Sequence, residues 1–303
     1  MAEIITAEQI ENRKHWLKEI AKISGNFGDD SSAVEQEIAD EIERKGYLTL
    51  LGHLRFCGAI PEQYGHDSTE EKLYSKYTDI VIAKAFEAMG LTSIVVKERA
   101  DAADVECVSK DYCFVADAKA FRLSRTAKNQ KDFKVQAMDN WKRDKPYAVI
   151  VCPIYQLPNK NSQIYQQAAT RSVCIFSYTH LAVLIRYALT VSKKKSTKLL
   201  SEVFKTVEAL TPSKDAISYW LAINRLIRNY DVSLKNIWNV EKKAASESII
   251  LSKEEALKFF ASERTRLMKL SREDAIREVL RLSKIANKIQ VIKSVSENGL
   301  LDT

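Results

Sequence analysis

The sequence has little glycine and none of the common glycine-rich motifs. Only 8 of its 303 residues are glycine, and no Walker loop, GxGxxG or GxSxG pattern occurs among them. Backbone cradles for nucleotide phosphates and sharp turns that expose a catalytic serine both depend on such glycines. These absences argue against a P-loop hydrolase, a dinucleotide-dependent dehydrogenase and an α/β-hydrolase.

Cysteine and histidine patterns typical of metal sites are missing too. The 5 cysteines form no CxxC pair, and the 4 histidines have no acid or cysteine partner at ligand spacing. We therefore expect free thiols in a reducing compartment and no structural zinc.

Long hydrophobic runs are also absent. No apolar stretch approaches the roughly 20 residues that cross a bilayer, and the first residues lack the basic and apolar blocks of a signal peptide. The hydrophobic content of 46% and charged content of 29% are ordinary for a globular chain. We expect a cytoplasmic protein without a membrane partner.

Positive charge is present and unevenly distributed. The net charge is +7, and the segment 119–145 alone contains nine lysines and arginines against three aspartates. A basic segment of this kind suits a polyanion such as nucleic acid. The alternative is a solvated helix face that binds nothing.

Two short segments, 104–108 and 112–118, are predicted as neighbouring strands of a hairpin. If Lys110 and Asp111 are the two loop residues, the register of the whole hairpin is fixed, because each position on one strand then has a single partner on the other.

In this register Asp104 lies directly opposite Asp117, with Cβ atoms about 5 Å apart. Lys119 shares the face of Asp117, since alternate strand residues point the same way. Two carboxylates so close repel each other, and a divalent metal between them is expected. An aspartate pair with an adjacent lysine is the constellation of a metal-dependent phosphodiesterase.

The pair Asp117 and Lys119 also fits a structural salt bridge that binds no metal. The pattern Asp/Glu-x-Lys occurs elsewhere in the chain, but only at 117–119 does it follow an apolar strand, which favours the metal site. Two more acids lie near these residues in the predicted fold. Glu106 is expected to be a charge at the rim, and Glu71 on the preceding helix is a possible accessory acid, although a surface role is more typical.

The order of elements predicts an α/β fold with a central mixed sheet flanked by helices. Strands are expected at 92–97, 104–108, 112–118, 147–152 and 173–177. A basic helix is expected at about 125–143, and Ser192–Ser196 as an exposed linker. The predicted organisation is a helical region 1–66, a catalytic core 67–190 and a helical region 191–303, together forming one compact domain.

With these residues set out, the chain resembles the HindIII-type type II restriction endonucleases of the PD-(D/E)xK superfamily. The resemblance is strongest in 115–135 and covers about 68–185. The superfamily metal pair then falls on Asp104 and Asp117, and the catalytic lysine on Lys119. The sequence departs from the motif at one place, where Ala103 stands instead of proline, and this removes no chemical group.

The resemblance implies a restriction-endonuclease-like core and a homodimer in the bacterial cytoplasm, acting on double-stranded DNA beside a cognate methyltransferase. It further implies Mg²⁺, held by Asp104, Asp117 and the backbone carbonyl of Ala118. The implied site is the palindrome AAGCTT, cut after the first A to leave 5′-phosphates.

DNA contacts are expected from the segment that follows the catalytic lysine. Phosphates would be bound by arginine and lysine side chains, and bases would be read by Asn129 and Lys131. The expected contact residues are Arg122, Ser124, Arg125, Lys128, Asn129 and Lys131. Two other functions stay open: a DNA-binding regulator without catalysis, and a junction or repair nuclease of the same fold.

Overall fold

The computed structural model describes residues 4–96, 102–125 and 130–294. Its strands are β1 (Thr92–Val95), β2 (Val105–Val108), β3 (Cys113–Ala118), β4 (Tyr147–Cys152) and β5 (Val173–Ser177). Its α-helices are α1 (Ala7–Ile20), α2 (Phe27–Lys45), α3 (Leu50–Phe56), α4 (Thr69–Ala88), α5 (Val135–Trp141), α6 (Gln163–Thr170), α7 (Tyr178–Thr190), α8 (Lys193–Glu208), α9 (Ala216–Tyr230), α10 (Val232–Met268), α11 (Arg272–Leu282) and α12 (Ile285–Ser294). Among these, no helix has the length and apolar character of a membrane span.

The five strands form one mixed sheet in the order β1-β2-β3-β4-β5. The first three strands pair antiparallel, and β3, β4 and β5 pair parallel through the crossovers that contain α5 and α6. Strands β4 and β5 are almost wholly buried, as expected for a sheet covered on both faces by helices. The predicted α/β class with a central mixed sheet is confirmed.

Helix α4 is the central helix of the core. It begins after Ser68, whose side chain accepts a hydrogen bond from the amide of Glu71. It ends before Gly90, whose φ of +97° lies in a region that only glycine enters easily. Twelve of its residues are buried, so most of its circumference is packed against other elements. A helix buried this deeply holds its side chains in fixed positions relative to the sheet.

The chain divides into two compact units, Met1–Glu254 and Glu255–Thr303. The first contains the whole sheet and the predicted metal site. The second contains α11 and α12, and its ion pairs include Arg266 with Glu278 at 3.0 Å. The three-part division predicted from the sequence stays a prediction.

Two local predictions were wrong in the C-terminal and basic regions. Residues Ser192–Ser196 are not an exposed linker: Ser192 caps α8, and Ser196 is fully buried with its hydroxyl on the carbonyl of Leu184. The described part of the basic segment is not one continuous helix, because a short 3₁₀ turn precedes α5 and Lys134 between them has a left-handed backbone conformation. A serine that satisfies a buried carbonyl cannot be recognised from local composition.

The buried histidine of α7 should make the stability of the protein depend on pH. His180 lies between the hydroxyl of Ser177 at 2.6 Å and the side-chain oxygen of Asn224 at 2.8 Å. Burial lowers the pKa of His180 to about 4, although the bond to Asn224 acts in the opposite direction. The unfolded chain, with a histidine pKa near 6.5, therefore takes up a proton that the folded chain excludes.

This contribution to stability is full above about pH 6.5 and is lost as the pH falls towards the folded pKa. The free energy of unfolding is expected to drop by about 2 kcal/mol between pH 7 and pH 5 through His180. Urea unfolding of the wild type and of His180→Gln at both values tests this. An equal drop in the variant would show that other groups account for the pH dependence.

Candidate active site

The hairpin of β2 and β3 carries two of the predicted site residues. Val105 pairs with Ala116 and Val108 with Cys113, which is the register predicted from a two-residue loop. Asp104 immediately precedes β2, and Asp117 is next to last in β3. Oxygen atoms of the two carboxylates lie within 4.8 Å of each other. The proximity follows from strand pairing, because the register aligns the start of one strand with the end of the other.

A third carboxylate, from α4, joins this pair. Asp79 is 5% exposed, and one of its oxygens lies within 4.8 Å of an oxygen of Asp104 and of Asp117. Its Oδ1 also accepts a hydrogen bond of 3.4 Å from the amide of Ala118. Sequence reasoning missed Asp79. The available signal was a single acid directly before the apolar stretch 80–83, where an unpartnered charge is costly.

Lys119 completes the cluster. Its ammonium forms an ion pair with Asp117, and its side chain is 12% exposed against 2% for the aspartate. Its backbone amide donates to the carbonyl of Val151 on β4 at 2.7 Å, so the parallel pairing continues past the end of β3. The backbone of Lys119 is therefore fixed by the sheet, and its side chain by the carboxylate.

The electrostatics of the site favour binding of a cation. Burial raises the pKa of Asp79 well above its usual range, and the neighbouring charges of Asp104 and Asp117 raise it further. Burial, followed by the charge of Asp117, raises the pKa of Asp104 to about 6. Burial alone would lower the pKa of Lys119, but the Asp117 carboxylate outweighs it and the pKa rises. The ammonium groups of Lys119 and Lys76 thus offset only part of the mutual repulsion of the three acids.

The buried carboxylate of Asp117 depends on a cationic partner. Its Oδ2 forms an ion pair with the ammonium of Lys119. Buried carboxylates need a cation or a metal ion beside them. Three converging carboxylates are the donor set that a hard divalent cation prefers. The residues present therefore fit Mg²⁺ or a similar ion.

The cluster opens into a cleft of about 520 Å³. This volume is far more than a single ion needs, so a larger substrate can reach the acids. Asp104, Asp117, Ala118 and Lys119 line one part of it. Other lining residues come from the start of α2, from α4 and from the residue before α5: Phe27, Gly28, Ser31, Ser32, Lys72, Ser75, Lys76 and Lys134.

The predicted DNA-contact residues that the structure describes are bound to acids of the same chain. Arg122 pairs with Glu71 at 2.6 Å, and Ser124 donates to Glu62 at 2.6 Å. Arg125 forms an ion pair with Asp132 and lies over the ring of Phe121 at 4.3 Å. Lys128, Asn129 and the side chain of Lys131 lie outside the described residues.

Glu71, the possible accessory acid, belongs to a different group. It lies with His66 and Asp67 in a second set of potential metal ligands, two of them exposed. Its carboxylate accepts from Arg122 and from the amide of Asp67 at 2.6 Å. The third carboxylate beside Asp104 and Asp117 is Asp79.

A mixed sheet flanked by helices, with clustered acids and a lysine at the end of a β-hairpin, is the arrangement of a type II site-specific deoxyribonuclease. The sequence profile of the HindIII restriction endonuclease family matches residues 13–296. The chain is 36% identical over 250 residues to the type II restriction enzyme HindIII of Haemophilus influenzae, across 80% of this chain and 81% of that protein.

The chain belongs to the HindIII restriction endonuclease family. The match extends beyond 68–185, the range that the resemblance covers in the sequence, into both helical terminal regions. The protein is therefore a restriction endonuclease, a hydrolase that binds and cuts DNA.

Proposed function

We propose that this enzyme makes Mg²⁺-dependent double-strand cuts at a palindromic hexamer, AAGCTT, and leaves 5′-phosphates. The observation that carries the metal-dependent chemistry is the convergence of Asp79, Asp104 and Asp117 beside Lys119. The hexamer and the position of the cut rest on the family resemblance.

The ion would be held by Asp104, Asp117 and the backbone carbonyl of Ala118, with Asp79 as a further acid. When bound, Mg²⁺ supplies Lewis-acid stabilisation of the charge that develops on the phosphate. Asp79 holds the amide of Ala118 and so fixes the backbone between the second metal-binding aspartate and the catalytic lysine. The rigidity of β3 and α4 keeps these groups at the geometry that the reaction needs.

Lys119 would act directly on the reacting phosphate. Its ammonium lies against Asp117 and lines the cleft, where it can orient the attacking water and stabilise the additional negative charge of the transition state. An ammonium in a largely buried position acts more strongly than one in water, because less solvent screens it.

DNA binding would use the basic residues that follow Lys119. Phosphate contacts give affinity and salt dependence, whereas base contacts give sequence choice. Arg122 and Arg125 are held by acids in this structure, so phosphates would compete with these acids for them. We assign the contacts to Arg122, Ser124, Arg125, Lys128, Asn129 and Lys131, with Asn129 and Lys131 reading bases.

The palindrome implies two copies of the chain, each cutting one strand, and we propose a homodimer. An enzyme that cuts the host's own recognition sites requires a methyltransferase of the same specificity in the same cell. We place both in the bacterial cytoplasm; the five free cysteines suit a reducing compartment.

Digestion of a sequenced plasmid with Mg²⁺, followed by end mapping, tests this function. We expect discrete fragments that end within AAGCTT after the first A, with 5′-phosphates. A gel shift without cutting would favour a non-catalytic regulator. Cleavage at branched DNA structures without dependence on the base sequence would favour a junction or repair nuclease.

Neutralising Asp79 should reduce activity and increase stability. Asp79→Asn removes a buried acid whose ionisation is disfavoured by burial and by its acidic neighbours, so the unfolding free energy without divalent metal is expected to rise by about 1 kcal/mol or more. Cleavage should fall at least about 10-fold as an acid of the site is lost. Thermal melts in EDTA and plasmid cleavage in Mg²⁺ measure both effects. Lower stability together with normal cleavage would show that Asp79 is only structural.

A further inference from the structure

Helix α4 directs two lysines into the same cleft as the acid cluster. Lys72, Lys76 and Asp79 follow one another at intervals of four and three residues, and Ser75 lies three residues after Lys72, so the four lie along one side of the helix. All four line the cleft. The face of α4 that supplies the third carboxylate therefore also supplies two positive charges, and neither belongs to the basic segment 119–145.

Lys76 is half-buried and anchored next to Asp104. Its Nζ donates to the carbonyl of Val96 at 3.0 Å, and the amide of Val96 donates to the carbonyl of Asp104 at 2.8 Å. An ammonium has three donors, so this bond leaves capacity for an acceptor in the cleft. Lys76 is therefore placed to hold the backbone of Asp104 and to contact a bound anion as well.

Lys72 is exposed and lies one helical turn before Lys76, about 6 Å along the axis. Within the described residues neither lysine forms an ion pair with an acid. Lys84, on the same helix, differs from them in its charge partner and in its location. It pairs with Glu87 at 3.0 Å, and it lines another surface depression. Two lysines outside any ion pair among the described residues, beside a site for phosphodiester hydrolysis, are suited to the phosphates of a DNA strand.

We propose that Lys72 and Lys76 bind neighbouring backbone phosphates of the DNA strand that is cut. This inference rests on the proposed function, because the acid cluster fixes where the scissile phosphate lies. Together with the basic segment after Lys119, the two lysines contact the strand from the α4 side of the cleft. Lysine acts here as a point charge that strengthens binding to any sequence.

The salt dependence of DNA binding tests the proposal. Binding of a labelled duplex containing AAGCTT is measured in EDTA across a range of NaCl concentrations. Each lost phosphate contact reduces the slope of log K against log[salt] by about 0.9. We expect that reduction for Lys72→Ala, about twice as much for the double variant with Lys76→Ala, and no change for Lys84→Ala.

Lys76→Arg should keep the slope of the wild type, because its charge is retained. Lys72 is exposed, so Lys72→Ala is expected to fold normally. If Lys76→Ala disturbs the backbone of Asp104, the slope of Lys72→Ala alone tests the proposal. Slopes of Lys72→Ala and Lys84→Ala that agree with each other would overturn the proposal. Cleavage by the wild type in Mg²⁺ is followed in parallel, and its absence would refute the proposed function separately.

Discussion

Asp117→Asn is expected to reduce DNA cleavage at least about 10³-fold while DNA binding is retained. The loss corresponds to about 4 kcal/mol of transition-state stabilisation, the several kcal/mol that a correctly held metal ion supplies. Binding should survive because the substitution removes a negative charge and no phosphate-binding group. Single-turnover cleavage with enzyme in excess, compared with binding in EDTA, separates the two effects.

Glu106→Gln is the matched control for Asp117→Asn. Glu106 lies on the same hairpin, opposite Val115, and pairs with Lys145 at 3.3 Å outside the acid cluster. The substitution removes the same charge at a position outside the acid cluster, so cleavage should stay close to the wild-type rate. Equal activity of Asp117→Asn and the wild type would contradict the assignment of Asp117.

Lys119→Met should lower the cleavage rate constant by about 10²- to 10³-fold, the range typical of removing one group that stabilises transition-state charge. Methionine keeps much of the volume and loses the ammonium. The same change leaves Asp117 buried without its partner, so the variant should also be less stable than the wild type. Single-turnover kinetics and thermal melts in EDTA measure the two effects.

Two further variants separate the chemical role of Lys119 from its structural role. Lys84→Met removes an ammonium from α4 outside the site and should leave the rate unchanged. Adding Asp117→Asn to Lys119→Met should recover stability, since the unpaired carboxylate is gone, but should not recover cleavage. Cleavage at the wild-type rate by Lys119→Met would show that the pair is only a structural salt bridge.

The hairpin could be predicted from the sequence because its determinants are local. Two polar residues, Lys110 and Asp111, separate two short β-rich segments, and strand periodicity then fixes every facing pair. The observed register, with Val105 opposite Ala116, matches that prediction. This is why the relation of Asp104 to Asp117 and the adjacent position of Lys119 followed without coordinates.

Asp79 could not be assigned in the same way, because its position depends on how α4 packs against the sheet. Nothing in the sequence fixes which turn of the helix meets the hairpin, and Glu71 on the first turn is the possible accessory acid that the sequence suggests. In the structure Glu71 binds Arg122. It lies two helical turns before Asp79, the acid that joins the cluster. A charged residue surrounded by buried apolar neighbours is the signal to follow in such a helix.

The helices after β5 show the limits of local pattern. The polar run Ser192–Ser196 contains three lysines, yet Ser196 is buried against α7 through the carbonyl of Leu184. Helix α10 spans Val232–Met268, including a first half in which polar residues occupy some of the buried positions. Buried polar residues such as Glu241, which binds Arg55 and Arg186, conceal the apolar spacing on which helix prediction depends.

The most direct test is a crystal structure of the enzyme with Mn²⁺ and a duplex that resists cleavage, with the ions located by anomalous scattering. We expect an ion about 2.1 Å from carboxylate oxygens of Asp104 and Asp117, in contact with the phosphate of the bond to be cut. An ion bound only by His66, Asp67 and Glu71, or a phosphate seated away from Lys119, would contradict the account.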